Sequence, residues 1–392
     1  VTSLPVRLTH NVVVEKNQKQ ITWRRLLRDH AAAFASWLAA SGREREVLER
    51  ISGALAGFLI EEIDQTRQEW PAAPAEFWSR IPDVRRCCNE TAAFDKPLAV
   101  HAYAYVHFLE RYRRTWASLK YLADVALLPL GSRGVRTLDV GCGPAPVLYA
   151  TRDFYRALYD FAEFANVCAL RLPLPELACV EQSRPMMSFV HHFSEYCKEP
   201  GPFGAHFDDF SVLDLKQARA DYRRRNEYDR YWDGDDVVNP WAAEEANVLF
   251  RYRLVVFSNF LTLGEQVQMY ETQLRDLFRD LRPGSIVLVL GGTGDSYQRI
   301  YEHVKVLALD EGLREAAART TFLERDDEVA RIIKAAQHRV YQHIESVSDR
   351  VLDHAPSWPD YWTREPSPKS RPKFELRAFR RGKWPKAVIT AA

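Results

Sequence analysis

The residues best suited to chemistry fall in one short stretch, Leu138-Asp-Val-Gly-Cys-Gly-Pro144, set between a strand-like run and a helical pattern that starts at Val147. Glycines at 141 and 143 let the backbone pass close to a ligand with no Cβ in the way. The first turn of the following helix offers free N–H groups to a carboxylate or hydroxyl. This placement suits a nucleotide-like cofactor. It departs from the dinucleotide fingerprint, because Gly143 is followed by Pro144-Ala-Pro146 with no third glycine, and that disfavours a pyrophosphate ligand. Further polar candidates close later strand-like runs: Glu181, the acidic pair in His206-Phe-Asp-Asp-Phe210, and Ser258 with Asn259.

Strand patterns at 136–140, 177–181, 205–207, 253–258 and 285–291 carry these residues at their ends, with helical patterns between most of them. That alternation predicts an α/β chain whose parallel sheet has helices on both faces. Ser183 is placed to cap the helix after Glu181, with Pro185 in its first turn and Phe189, Val190 and Phe193 on its buried face. His191 and His192 on that helix read as structural or surface residues. The alternation in 373–380 predicts an edge strand.

Upstream, apolar residues recur at helical spacing through Leu26, Leu27, Phe34, Trp37 and Leu38, then over 44–68 and again over 101–127. The stretch Trp70-Pro-Ala-Ala-Pro reads as a turn, and the aromatics Tyr103, Tyr105 and Phe108 read as core. The expected organisation is a helical N-terminal domain or cap over 1–118, then a Rossmann-like domain over 119–392. Insertions are expected at about 150–176, with an aromatic helix over 154–164, and at 215–250.

With Lys+Arg 54 against Asp+Glu 53 and 46% hydrophobic residues, neither wholesale disorder nor a polybasic coat is indicated. Six cysteines with no CxxC and no metal-ligand spacing predict a reduced interior, no metal centre and no disulfide framework. The first twenty residues show no leader pattern and no window is apolar enough to span a bilayer, so the expectation is a soluble, cytoplasmic chain without a membrane partner.

The glycine stretch with its preceding acidic residue resembles the first motif of class I S-adenosylmethionine-dependent methyltransferases. That resemblance implies S-adenosylmethionine as cofactor, held by Asp139, Gly141, Cys142, Gly143, Pro144, Glu181, Gln182, Asp209, Phe210, Ser258 and Asn259. Within that set, Asp139, Gly141 and Gly143 would surround the methionine end. Glu181 would accept from both ribose hydroxyls, a task that suits a carboxylate's two oxygens. Asp209, the preferred member of the 208/209 pair, would accept from the adenine amino group, with Phe210 over the ring. The 38 residues from Gly143 to Glu181 exceed the roughly 20 usual in such folds. A polar strand end followed by Leu263-Gly-Glu265, a Gly-Thr turn after the fifth strand, and a Tyr- and Arg-rich helix before the first motif also resemble the methyltransferase-like family associated with the small ribosomal subunit. Members of that family often carry a cysteine set for an iron-sulfur cluster, and this chain has no comparable grouping.

Residues 364–386 hold nine Lys or Arg and two Glu, with Trp362 just before them and Phe374, Phe379 and Trp384 interleaved, a composition that could grip phosphates and stack on unpaired bases. Arg223-Arg-Arg225 is a second basic run, offset by nearby acids. RNA, ribosomal RNA included, is therefore the first acceptor class, and RNA or a ribonucleoprotein the expected partner. A small-molecule O- or N-methyltransferase of secondary metabolism is the alternative, and a non-catalytic cofactor-binding assembly factor a further one. Asn239-Pro-Trp241 lacks the second proline of the amino-methyltransferase motif and precedes the fourth strand, so it is set aside. No single catalytic residue is expected, because an in-line methyl transfer can run largely on positioning.

Overall fold

A computed structural model describes residues 23–86, 94–130, 135–166, 175–198, 203–206, 252–261, 264–323, 327–348 and 373–382. Four helices come first: α1 Trp23–Ser41, α2 Arg43–Glu69, α3 Ala73–Arg86 and α4 Ala99–Asp124. The α/β part follows as β1 Arg136–Val140, α5 Pro146–Phe164, β2 Glu176–Glu181, α6 Arg184–Tyr196, β3 Phe203–His206 and β4 Leu254–Ser258. The chain continues through α7 Gly264–Met269, α8 Glu271–Asp280, β5 Ile286–Gly291, α9 Asp295–Asp310, β6 Leu313–Phe322, α10 Asp327–Val347 and β7 Lys373–Arg381.

The strands form one seven-stranded sheet in the order β3-β2-β1-β4-β5-β7-β6. The first five are parallel, and β7 runs antiparallel between β5 and β6. Successive residues of a strand face opposite sides, and the core divides accordingly. Leu254 and Val256 of β4 join Leu288, Leu376 and the helices α1 to α6 and α10, whereas Val255 and Phe257 join Val287, Phe379 and α7 to α9. Helices thus cover both faces of a Rossmann-like sheet, as predicted.

The helical region shares one continuous core with α5, α6, α10 and one sheet face, and residue 118 lies within α4. A buried polar knot ties these layers. The Asp153 carboxylate of α5, fully buried, accepts from Tyr112 Oη at 2.8 Å and from Arg50 Nη2 at 2.6 Å, joining α5 to α4 and α2. Arg43 of α2 pairs with Asp160 of α5 as well.

Four expectations need correction. The aromatic segment 154–164 is no insertion: it is the C-terminal part of α5, which runs unbroken from the glycine turn, and the helix's length accounts for much of the spacing to Glu181. The turn expected at Trp70 closes within three residues and α3 starts at Ala73; Pro74 is tolerated there because the first helical N–H groups need no partner. The strand expected at the edge is interior. β7 pairs on both sides, and β6 forms the rim. The third strand spans Phe203–His206, earlier than 205–207.

Candidate functional site

Strand order reverses direction from β1, with β2 on one side and β4 on the other, and open α/β sheets bind ligands at such a point, beyond the carboxyl ends of the strands. The 138–144 stretch ends β1 there. Gly141 (φ 67°) and Gly143 (φ 54°) both adopt left-handed backbone, and a Cβ on Gly141 would lie 2.2 Å from the Phe260 ring. Gly141 N–H donates to Val180 O at 2.9 Å, tying the turn to β2.

Glu181 organises the crevice. Its Oε2 accepts from Gly143 N–H at 2.7 Å and its Oε1 from Ser183 N–H at 2.9 Å, so one carboxylate holds both the glycine turn and the start of α6. Charge-assisted bonds of this kind are about twice as strong as neutral ones. Ser183 caps α6 as expected, its Oγ accepting from Met186 N–H at 3.4 Å.

Asp139 has a contrasting environment. The side chain is fully buried, and neither carboxylate oxygen meets a hydrogen-bond partner among the described residues. Burial, reinforced by the nearby Glu181 charge, holds its carboxyl well above the usual range, and Arg111 opposes that shift. Ser258, at the end of β4, is also buried with its Oγ unpartnered.

The remaining candidates divide by position. Cys142 is buried, with its thiol against Gly143 O at 3.4 Å; burial pushes that thiol up, and the Cys179 thiol beside it adds to the effect. Pro144 is buried in the turn. Gln182 is exposed at the end of β2 and accepts from Tyr270 Oη at 3.4 Å. Asn259 has φ 53°, and its N–H donates to Leu290 O at 2.9 Å, joining the ends of β4 and β5. Asp209, Phe210, Arg223-Arg-Arg225 and the 215–250 segment lie outside the described residues.

The basic segment does not present the surface its composition suggested. Phe374 and Phe379 are core residues at 0% exposure, since β7 is covered on both faces. Arg377 donates to Glu315 Oε1 at 2.8 Å and to Glu375 Oε1 at 2.6 Å, and Arg381 is buried. Within β7 only Lys373 and Arg380 are exposed; 364–372 and 383–386 lie outside the described residues.

Sequence reasoning missed the contribution of α4. Tyr103, taken for ordinary core, has its Cε1 3.8 Å from where a Gly143 Cβ would stand, and the Arg111 guanidinium lies 4.9 Å from the Tyr103 ring centroid. The signal available was a charged residue eight positions after Tyr103, two helical turns away and on nearly the same face. Also missed were Phe260 against Gly141 and Tyr297 against Gly291 and Gly292 at the end of β5. His192 has an acidic neighbour after all: Glu62 of α2 lies 3.9 Å from its Nδ1 and 3.3 Å from His101 Nε2. No group of three metal-ligating side chains occurs among the described residues. No described helix is long and apolar enough to cross a membrane.

No known protein family and no curated protein sequence matches the chain. Among solved structures, it is similar to magnesium protoporphyrin IX methyltransferase from Synechocystis with bound SAM, at 10% identity and TM-score 0.33, covering 82% of this chain and 97% of that one. A TehB-like SAM-dependent methyltransferase from Corynebacterium glutamicum is matched at 11% identity and TM-score 0.30 over 73% of this chain and 100% of that one. A precorrin-6y methyltransferase from Geobacter metallireducens is matched at 12% identity and TM-score 0.30 over 55% and 77% of the two chains. The strand order is what settles the architecture: five parallel strands with the switch beside the glycine turn, completed by an antiparallel β7 inserted between β5 and β6, form a Rossmann-like sheet.

Proposed function

We propose that the chain is an S-adenosylmethionine-dependent methyltransferase whose cofactor lies across the ends of β1, β2 and β4. The observation that carries this reading is the Asp139 carboxylate, fully buried beside the glycine turn with both oxygens unpartnered. Buried polar groups are nearly always satisfied, so an orphaned pair of acceptors at a strand switch marks a place where a ligand donor completes the bonding. An ammonium group fits that demand. The Glu181 carboxylate, which also holds the glycine turn and the start of α6, is proposed to accept from two vicinal hydroxyls.

The cofactor would supply a methyl group activated on a sulfonium, to be passed in line to the acceptor's nucleophile with the neutral thioether as leaving group. The chain's part is to position and to exclude water. Ser258 and Asn259 at the end of β4 are proposed to meet cofactor or acceptor, and Asp209 and Phe210 to meet the adenine. Phe260, against Gly141, and Tyr297, against Gly291 and Gly292, stand at the ends of β4 and β5. For the acceptor we favour a small molecule over RNA. The packing of Phe260 on Tyr270 beside the end of β4 supports a compact apolar partner, while the burial of Phe374 and Phe379 removes two stacking residues on which the RNA reading leaned.

Methyl-labelled cofactor offered with a panel of small O- and N-nucleophiles, and separately with RNA, tests both levels. Transfer to a small acceptor is expected. Salt-sensitive transfer to RNA alone would overturn the acceptor reading, and the absence of cofactor binding would overturn the whole proposal.

A further inference from the structure

Helix α2 is fastened to its neighbours in two different ways along its length. In its N-terminal half arginines meet carboxylates: Arg43 pairs with Asp160 and Arg50 with Asp153, both of α5, and Arg45 pairs with Glu328 of α10. In its C-terminal half the charges are reversed and the partners are histidines. Glu62 lies 3.3 Å from His101 Nε2 of α4 and 3.9 Å from His192 Nδ1 of α6, and Asp64 lies 2.8 Å from His343 Nε2 of α10. Three histidines from three helices therefore face two carboxylates on one.

Among the described residues no lysine or arginine pairs with Glu62 or Asp64, and α1 and α3, which also pack on α2, bring them no charged partner. The three histidines likewise meet no charged group there other than these two carboxylates. The His101 ring stacks on Phe58 of α2 and takes the edge of Phe189 of α6, and its Nδ1 is buried without a partner, so Glu62 alone answers its charge.

The difference in partner is a difference in response to pH. An arginine keeps its charge at every pH the protein meets, whereas an imidazole gains its proton between about pH 8 and pH 5. The His101 hydrogen bond holds the Glu62 carboxyl below its usual range, against the effect of burial, so the anion persists through that interval. A neutral imidazole offers the carboxylate a hydrogen bond, and a protonated one adds the attraction of opposite charges. The contacts of the C-terminal half therefore tighten as pH falls and loosen as it rises, while those of the N-terminal half stay constant.

We propose that His101, His192 and His343 form a pH-sensitive latch on the C-terminal half of α2, holding α4, α6 and α10 to it most firmly when the imidazoles are protonated. The latch stands apart from the cofactor reading. It grips the far end of α6, the helix whose start is held by Glu181 through Ser183 N–H.

Urea melts of the full chain near pH 5.5 and near pH 8.5 test it. Glu62→Gln combined with Asp64→Asn, which keeps shape and removes charge, should lower the folding equilibrium constant about tenfold at the lower pH and less than about threefold at the higher. Glu328→Gln, which removes an arginine contact from the same helix, should lower it by one factor at both. His192→Gln combined with His343→Gln removes imidazoles and leaves both carboxylates; it should show the same dependence on pH and serves if the first variant fails to fold. A loss that is equal at the two pH values, or larger at the higher one, in either the carboxylate or the histidine variant would overturn the latch. So would a Glu328→Gln loss that shrinks with rising pH in parallel, since the dependence would then not belong to the histidines.

Discussion

Two aspartates among the described residues are completely buried, and their surroundings are opposite. Asp153, at the junction of α5 with α2 and α4, receives hydrogen bonds from Tyr112 and Arg50; Asp139, at the end of β1, receives none among the described residues. The first carboxylate is a structural fastener. The second destabilises the free protein, and its site is correspondingly specialised, with left-handed glycines at 141 and 143 and a buried, unpartnered hydroxyl on Ser258. The contrast teaches that burial alone does not distinguish scaffold from site, whereas satisfaction of the buried group does.

The largest expected effect comes from closing the crevice. Gly141→Ala must place a Cβ in the space of the Phe260 ring while holding φ 67°, so it should abolish measurable nucleoside binding and lower stability by roughly 2–4 kcal/mol, read by calorimetry and by urea melts. Next is the fastener. Asp153→Ala leaves Tyr112 and Arg50 without their shared acceptor and should lower stability by about 2–4 kcal/mol, with affinity for S-adenosylhomocysteine retained in the folded fraction. A loss of affinity without a loss of stability would erase the distinction between the two regions.

Asp139→Asn should behave in the reverse sense. The native carboxyl is raised above its unfolded value of about 3.9, so folding takes up a proton, and this contribution is present below that value and lost as pH climbs through the native one. Wild type should therefore lose stability relative to Asp139→Asn as pH rises from about 4, by up to about 1.4 kcal/mol per unit within the window, while the variant binds S-adenosylhomocysteine at least about tenfold more weakly. Parallel pH profiles for the two proteins would contradict the raised carboxyl. The smallest effect is expected at the β7 surface: Arg380→Glu, at an exposed position, should change stability by less than about 0.5 kcal/mol.

Much of the fold was legible because local signals agreed. β1 spans the predicted 136–140, where an apolar run ends in glycines, and Ser183 caps α6 at the predicted residue. Other elements were hidden by composition. β6, Leu-Arg-Glu-Ala-Ala-Ala-Arg, is rich in helix formers, and its strand state is imposed by pairing with β7. α10 lies between those two strands and packs into the helical core, a long-range relation that no local pattern encodes. In the basic segment, charge was visible in the sequence and its partners were not: Arg377 answers Glu315 from a neighbouring strand and Glu375 two residues away. The glycine turn and Glu181 could be read from local spacing, but the approach of Tyr103 and Arg111 depends on how α4 crosses the sheet.

The most direct measurement is calorimetric titration of the full chain with S-adenosylhomocysteine, for wild type and for Glu181→Ala. The account predicts micromolar binding to wild type and at least tenfold weaker binding to the variant, because the substitution removes both the hydroxyl acceptor and the anchor of Gly143. Wild-type protein that binds no S-adenosyl nucleoside, or a variant that binds it as tightly as wild type, would contradict a cofactor site at the glycine turn.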